Sequence, residues 1–155
     1  MKKLNIGCGH DKRPGYINLD IAQEVKPDIV HDISDGLPFA DNTFDSIYSS
    51  HCIEHVTPDR WSYVLDEIMR VAKPDCILEL MLPFDNIKKR TNIGHYRTFG
   101  WWSFTQYYAD EKIRGYYRPW KLQQLHREAT IIEKIFFLTF PILKKEIYFK
   151  FRVIK

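Results

Sequence analysis

One hundred and fifty-five residues, 45% apolar, 28% charged and 15% aromatic, suit one domain with one core, since chains usually divide only above ~250 to 300 residues. That composition excludes a disordered or collagen-like chain, and the longest apolar run, at 135–143, falls far short of the roughly 20 residues that cross a bilayer. The net charge of +3 divides unevenly: residues 1–85 carry 8 basic and 15 acidic side chains, residues 86–155 carry 15 and 5, so the parts are −7 and +10. A phosphate-bearing partner would suit this asymmetry, and so would charges solvated on unrelated faces.

At the N-terminus two lysines meet Asn5, Gly7 and Gly9 before any apolar stretch of signal-peptide length, which predicts a cytosolic protein. Cys8, Cys52 and Cys76 are odd in number and widely spaced. They indicate reduced, buried thiols, with neither a disulfide framework nor a metal site.

In chain order, β-branched and aromatic clusters with turn-rich flanks predict strands at 3–7, 16–21, 29–31, 44–49 and 77–82. A helix is predicted over 58–72, with Thr57 placed to cap it, Pro58 at its first position, and Trp61, Val64, Leu65, Ile68, Met69 and Ala72 on one buried stripe. Strand, helix and strand at this spacing make a parallel crossover, so the fold class is α/β. Further helices are expected over 99–109 and 121–129, and an apolar segment over 131–140. The alternation of Ile147, Phe149, Phe151 and Val153 predicts a last strand with one buried face, paired to that segment through a turn at 141–145.

The strand Leu4-Asn5-Ile6 runs into Gly7-Cys8-Gly9, where missing side chains let a ligand approach the backbone closely. Asp20 ends the next strand, where a carboxylate can accept hydrogen bonds from both hydroxyls of a ribose, and Asp32 follows the third. A nicotinamide-binding fingerprint is excluded, because it needs G-x-G-x-x-G opening a helix and an acid about 20 residues on. Gly9 to Asp20 is eleven residues, with no room for a helix.

Taken in order, LNIGCG, YINLD, HDIS, LPFADNTFDSIYSSHCIEH and EIMRVAKPDCILELMLP resemble a small class I S-adenosylmethionine-dependent methyltransferase domain over residues 4–84. The resemblance implies a Rossmann-like sheet of seven strands, mainly parallel with the last antiparallel, and S-adenosylmethionine across the carboxyl ends of the first four. It implies that Asn5, Gly7, Cys8 and Gly9 lie beside the methionine part of the cofactor, Asp20 on the ribose, and Asp32 with Ile33 on adenine. Ser49, Ser50 and His51 would face the sulfonium and the acceptor.

Departures accompany the resemblance. The acid that commonly precedes the glycine turn is here the neutral Asn5. Six residues connect the first two strands and eight connect Asp20 to Ile29, too few for full crossover helices, so one face of the sheet has a reduced helix layer. A non-catalytic cofactor-binding or partner-stabilising subunit of the same fold is the rival reading.

Methyl transfer is an in-line displacement, and a base is needed only if the nucleophile must lose a proton. His51, after the fourth strand, and His95, after the fifth, are the catalytic candidates against plain loop histidines, while Glu54 and His55 are expected to hold the turn before the helix. Ten of the 25 residues from Tyr96 to Trp120 are aromatic. They suit either a substrate lid or a covering flap, and an exposed cluster would favour a homodimer or a protein partner through 107–120. With the basic second half, they suit an anionic acceptor such as a sugar, a nucleotide or RNA, a neutral metabolite being the alternative.

Overall fold

The computed structural model describes residues 1–85, 94–100, 102–104, 107, 120–127 and 146–155. Strands β1 (Lys3–Ile6), β2 (Ile17–Asp20), β3 (Ile29–Val30) and β4 (Phe44–Ser50) fall where the sequence places them, and β5 (Ala72–Pro83) covers the expected strand but starts five residues before it. With β6 (Lys121–Arg127) and β7 (Glu146–Ile154) they form one seven-stranded sheet in the order β3-β2-β1-β4-β5-β7-β6. Strands β1 to β5 pair in parallel, and β7 runs antiparallel to both β5 and β6. The α/β class and the antiparallel last strand are as expected.

Four expectations change. Residues 121–127 are strand β6, not helix: Leu122 and Leu125 have helical spacing, but pairing with β7 decides the conformation. In 99–109, Phe99 bridges to Phe84 and residues 102–104 form a turn, so the predicted helix does not start there. Helix α1 (Trp61–Val71) begins after a turn at 58–60 in which Arg60 and Trp61 donate to the Thr57 carbonyl, so Thr57 serves through its backbone rather than as a side-chain cap. The expected segment at 131–140 and turn at 141–145 lie outside the described residues, but the expected hairpin between that segment and the last strand does not form, because β5 and β6 occupy the two edges of β7.

Side-chain alternation gives the sheet two unlike faces. Adjacent rows across the strands read Ile17, Leu4, Ile47, Leu78 and Phe151, then Leu19, Ile6, Ser49, Leu80 and Phe149. Apart from the partly buried Ile17 and the polar Ser49, these are buried in one cluster with Trp61, Val64, Leu65, Ile68 and Met69 of α1, and Phe104 adds its ring edge-on to Phe149 and Phe151. The intervening row is polar: Asn18, Asn5, Tyr48, Glu79, Lys150 and His126.

On this polar face the reduced helix layer is replaced by a hydrogen-bonded turn. Asn5 Nδ2 donates to the Asp11 carbonyl and to Asn18 Oδ1, both at 3.0 Å, and the Arg13 backbone N–H donates to Asn18 Oδ1 at 2.8 Å. The Arg13 guanidinium lies 3.3 Å from the Tyr48 ring centroid. Further along, Tyr148 donates to Glu79 at 2.6 Å and Lys150 pairs with the same carboxylate at 2.9 Å.

Candidate active site

Strand β1 ends in a turn whose two glycines do different work. Gly7 (φ +67°) and Cys8 donate their N–H groups to the Leu19 carbonyl, and a Cβ on Gly7 would lie 2.3 Å from Cys52 Cβ. Gly9 (φ +49°) faces open space, with nothing within 4 Å of where its Cβ would be. Its N–H donates to Asp20 Oδ2 at 2.7 Å, while Ala22 N–H donates to Oδ1 at 2.9 Å. The carboxylate at the end of β2 is thus fixed by two backbone donors. After β3, Asp32 accepts the Ser34 N–H at 2.8 Å and so caps a single 3-10 turn, Ile33–Asp35.

These turns border a cavity of about 660 Å³ at the carboxyl ends of the parallel strands, where open α/β sheets bind ligands. The volume suits a small-molecule site, for which ~300–1,000 Å³ is usual. Of the residues expected from sequence, Asn5, Gly7, Cys8, Gly9, Asp20, Asp32, Ile33 and His51 line it. His10, Asp11, Tyr48, Cys52, His55, Thr57 and Tyr96 line it as well, without having been singled out as ligands.

Two expected residues do not line it. Ser49 is fully buried on the core side of β4, and the alternation of the strand gives its place on the cavity wall to Ser50. His95 stands behind the wall, its ring edge-on to His55 at 4.8 Å between centroids. Asn5 reaches the cavity, but its Nδ2 is committed to Asp11 and Asn18.

His51, at φ +49°, is held between two carboxylates, with Nδ1 3.2 Å from Glu54 Oε1 and Nε2 3.1 Å from Glu146 Oε1. The hydrogen bond to Glu54 raises its pKa against the opposing effect of burial, and Glu146 adds to the rise. Both of its ring nitrogens thus face carboxylate oxygens. Desolvation raises the thiol pKa of Cys8 and pushes that of Cys52 up to about 12, so neither is a thiolate nucleophile near neutral pH.

Residues 4–80 match the family described as methyltransferase domain. That span carries β1 to β4, α1 and most of β5, including nearly all the cavity's lining. The chain belongs to the S-adenosylmethionine-dependent methyltransferases. Similar solved structures include a SAM-dependent methyltransferase from Archaeoglobus fulgidus, at 16% identity and a TM-score of 0.65 over 97% of this chain and 85% of that one. Another is the Burkholderia thailandensis 1,6-didemethyltoxoflavin-N1-methyltransferase, with bound 1,6-didemethyltoxoflavin and S-adenosylhomocysteine, at 12% identity and a TM-score of 0.63 over 99% and 71%. A third, from Mesorhizobium loti, has 12% identity and a TM-score of 0.61 over 97% and 90%. At these identities the likeness carries the fold alone. No curated protein sequence matches the chain. The methyltransferase uses S-adenosylmethionine as its methyl donor, and none of its described helices is long and apolar enough to cross a membrane.

Proposed function

We propose that the methyltransferase holds S-adenosylmethionine along the turns after β1, β2 and β3 and transfers its methyl group to an anionic acceptor. The observation that carries this reading is the Asp20 carboxylate, fixed at the cavity wall by the N–H groups of Gly9 and Ala22. A carboxylate has about four lone-pair sites, so two remain for the paired hydroxyls of a ribose. Ile21 and Ile33 supply apolar wall for adenine, and the open space at Gly9 admits a ligand against the backbone. Asn5 brings no charge to the methionine end, and Asp11, also on the wall, is the acid available there for an ammonium group.

The bound cofactor supplies an electrophilic methyl group. This chain's part is positioning, with the acceptor entering beside Tyr48, Ser50, His55 and Tyr96. The anionic acceptor is supported by the +10 balance of residues 86–155. Labelled methyl from S-adenosylmethionine, offered with sugar phosphates, nucleotides and RNA beside neutral analogues, tests it. Label in the phosphate-bearing acceptors supports the reading, and label confined to the neutral ones overturns it.

A further inference from the structure

The single 3-10 turn Ile53–His55 follows β4 by two residues and sets the buried Glu54 beside His55, which lines the cavity. Residues 94–96 are clipped onto it: Tyr96 N–H donates to the Glu54 carbonyl at 3.0 Å, and His55 Nδ1 donates to the Gly94 carbonyl at 2.5 Å. That places His95 against His55. One ligand atom each from Glu54, His55 and His95 then lie within 4.8 Å of one another.

Two features distinguish this cluster from a chance meeting of polar groups. Glu54 is wholly buried, and although Oε1 meets His51, Oε2 has no hydrogen-bond partner among the described residues. A buried carboxylate oxygen left without a partner is costly, and a cation would satisfy it. His55, moreover, commits Nδ1 to a carbonyl, which leaves Nε2 with the lone pair. Metal-ligating histidines are oriented in this way, by an outer hydrogen bond from the ring nitrogen that does not bind.

We propose that Glu54, His55 and His95 bind one divalent transition-metal ion, of the zinc or cobalt type, in the wall of the methyltransferase cavity. Two imidazoles and a carboxylate, without thiolate, suit such ions better than magnesium or calcium, which take all-oxygen sets. Bonds of about 2.0–2.1 Å bring ligand atoms to roughly 3.4 Å apart, so ligand atoms now within 4.8 Å of one another close in by at most about 1.4 Å. Three protein ligands leave a coordination position open. Because His55 lines the cavity, that position meets the acceptor's end of it. There the ion would polarise an acceptor hydroxyl, whose proton passes to water as the oxygen takes the methyl group. This last role rests on the acceptor reading above; the binding of the ion does not.

The test uses the full chain without an affinity tag, stripped with a chelator and titrated with Zn²⁺ by calorimetry and with Co²⁺ by visible absorption, in the absence of S-adenosylmethionine. One ion per chain and cobalt ligand-field bands are expected. His55→Ala and His95→Ala should each weaken Zn²⁺ binding by more than about 100-fold, since loss of an outer-shell partner alone costs ~10- to 100-fold. His126→Ala, on β6, should leave it unchanged. Glu54→Gln should also weaken binding, with its fold checked by circular dichroism, and the two histidine variants decide the matter if it unfolds. No saturable binding below millimolar metal, or parental affinity in both histidine variants, would overturn the site. S-adenosylhomocysteine binding without zinc binding would sink the metal site and leave the cofactor reading standing; the reverse would do the opposite.

Discussion

Asp20 acts on the proposed cofactor site twice, as a charge facing the cavity and as the acceptor that holds Gly9 and Ala22 in place. Asp20→Asn removes the charge and sets an amide NH₂ against one of those two N–H donors. Hydrogen bonds to a charged group are worth ~1.5–3 kcal/mol, so affinity for S-adenosylhomocysteine should fall roughly 10- to 150-fold, with circular dichroism unchanged. Parental affinity in that variant would remove Asp20 from the site. Gly7→Ala should lower the melting temperature instead, because its Cβ would meet Cys52 Cβ at 2.3 Å at a φ of +67°. Left-handed backbone and overpacking each cost ~1–3 kcal/mol. Cys52→Ala should rescue it only in part, since it removes the Sγ that would lie at 2.4 Å but keeps the Cβ and the left-handed backbone; full rescue would show the clash to be with sulfur alone. Much of the site was legible at this scale because Gly9, Asp20 and Asp32 sit at strand ends that sequence locates. Ser49 against Ser50 was not, because a one-residue difference exchanges the two faces of a strand. The Glu54–His55–His95 cluster was hidden by the forty positions that separate His55 from its partner.

Between elements, α1 is tied to the loop before β4 by one ion-paired group. Glu67 accepts Leu37 N–H at 2.8 Å and two bonds from Arg70, whose guanidinium also donates to the carbonyls of Leu37 and Phe39. The Arg70 hydrogen bonds hold the Glu67 pKa below its ordinary value, against burial, with Leu37 N–H adding to them. A carboxyl whose pKa is lower folded than unfolded stabilises fully above the unfolded value, ~4.3, and loses that contribution as pH falls towards the folded one. Glu67→Gln should therefore cost about 1–3 kcal/mol at pH 7 and less as the pH drops below 4, read by urea unfolding at both. An equal cost at pH 7 and pH 3 would show that the charge is not what ties these elements. The first five strands were legible because their apolar residues cluster between turn signals. Strand β6 was not, because the stretch K-L-Q-Q-L-H-R favours helix locally, and its conformation is set by β7, more than twenty residues further on.

For the whole molecule, the short connections raised an expectation of assembly to cover a bare face. The face in question carries Asn5, Asn18, Glu79 and Lys150 in mutual contacts and needs no apolar cover. Tyr107 and Trp120, the described residues of the aromatic stretch at 107–120, are buried on their own chain, stacked at 5.3 Å, with Trp120 Nε1 donating to Asp66 of α1. Light scattering should accordingly give a monomer of 18.6 kDa at micromolar concentration. A dimer mass would restore the aromatic stretch as an interface. Calorimetric titration of the parent chain and Asp20→Asn with S-adenosylhomocysteine decides whether the cavity beside Gly9 and Asp20 is where the cofactor binds. One saturable site per chain, weakened by the substitution, is expected; no saturable binding to the parent, or equal binding to both, would show that this cavity is not the cofactor's site.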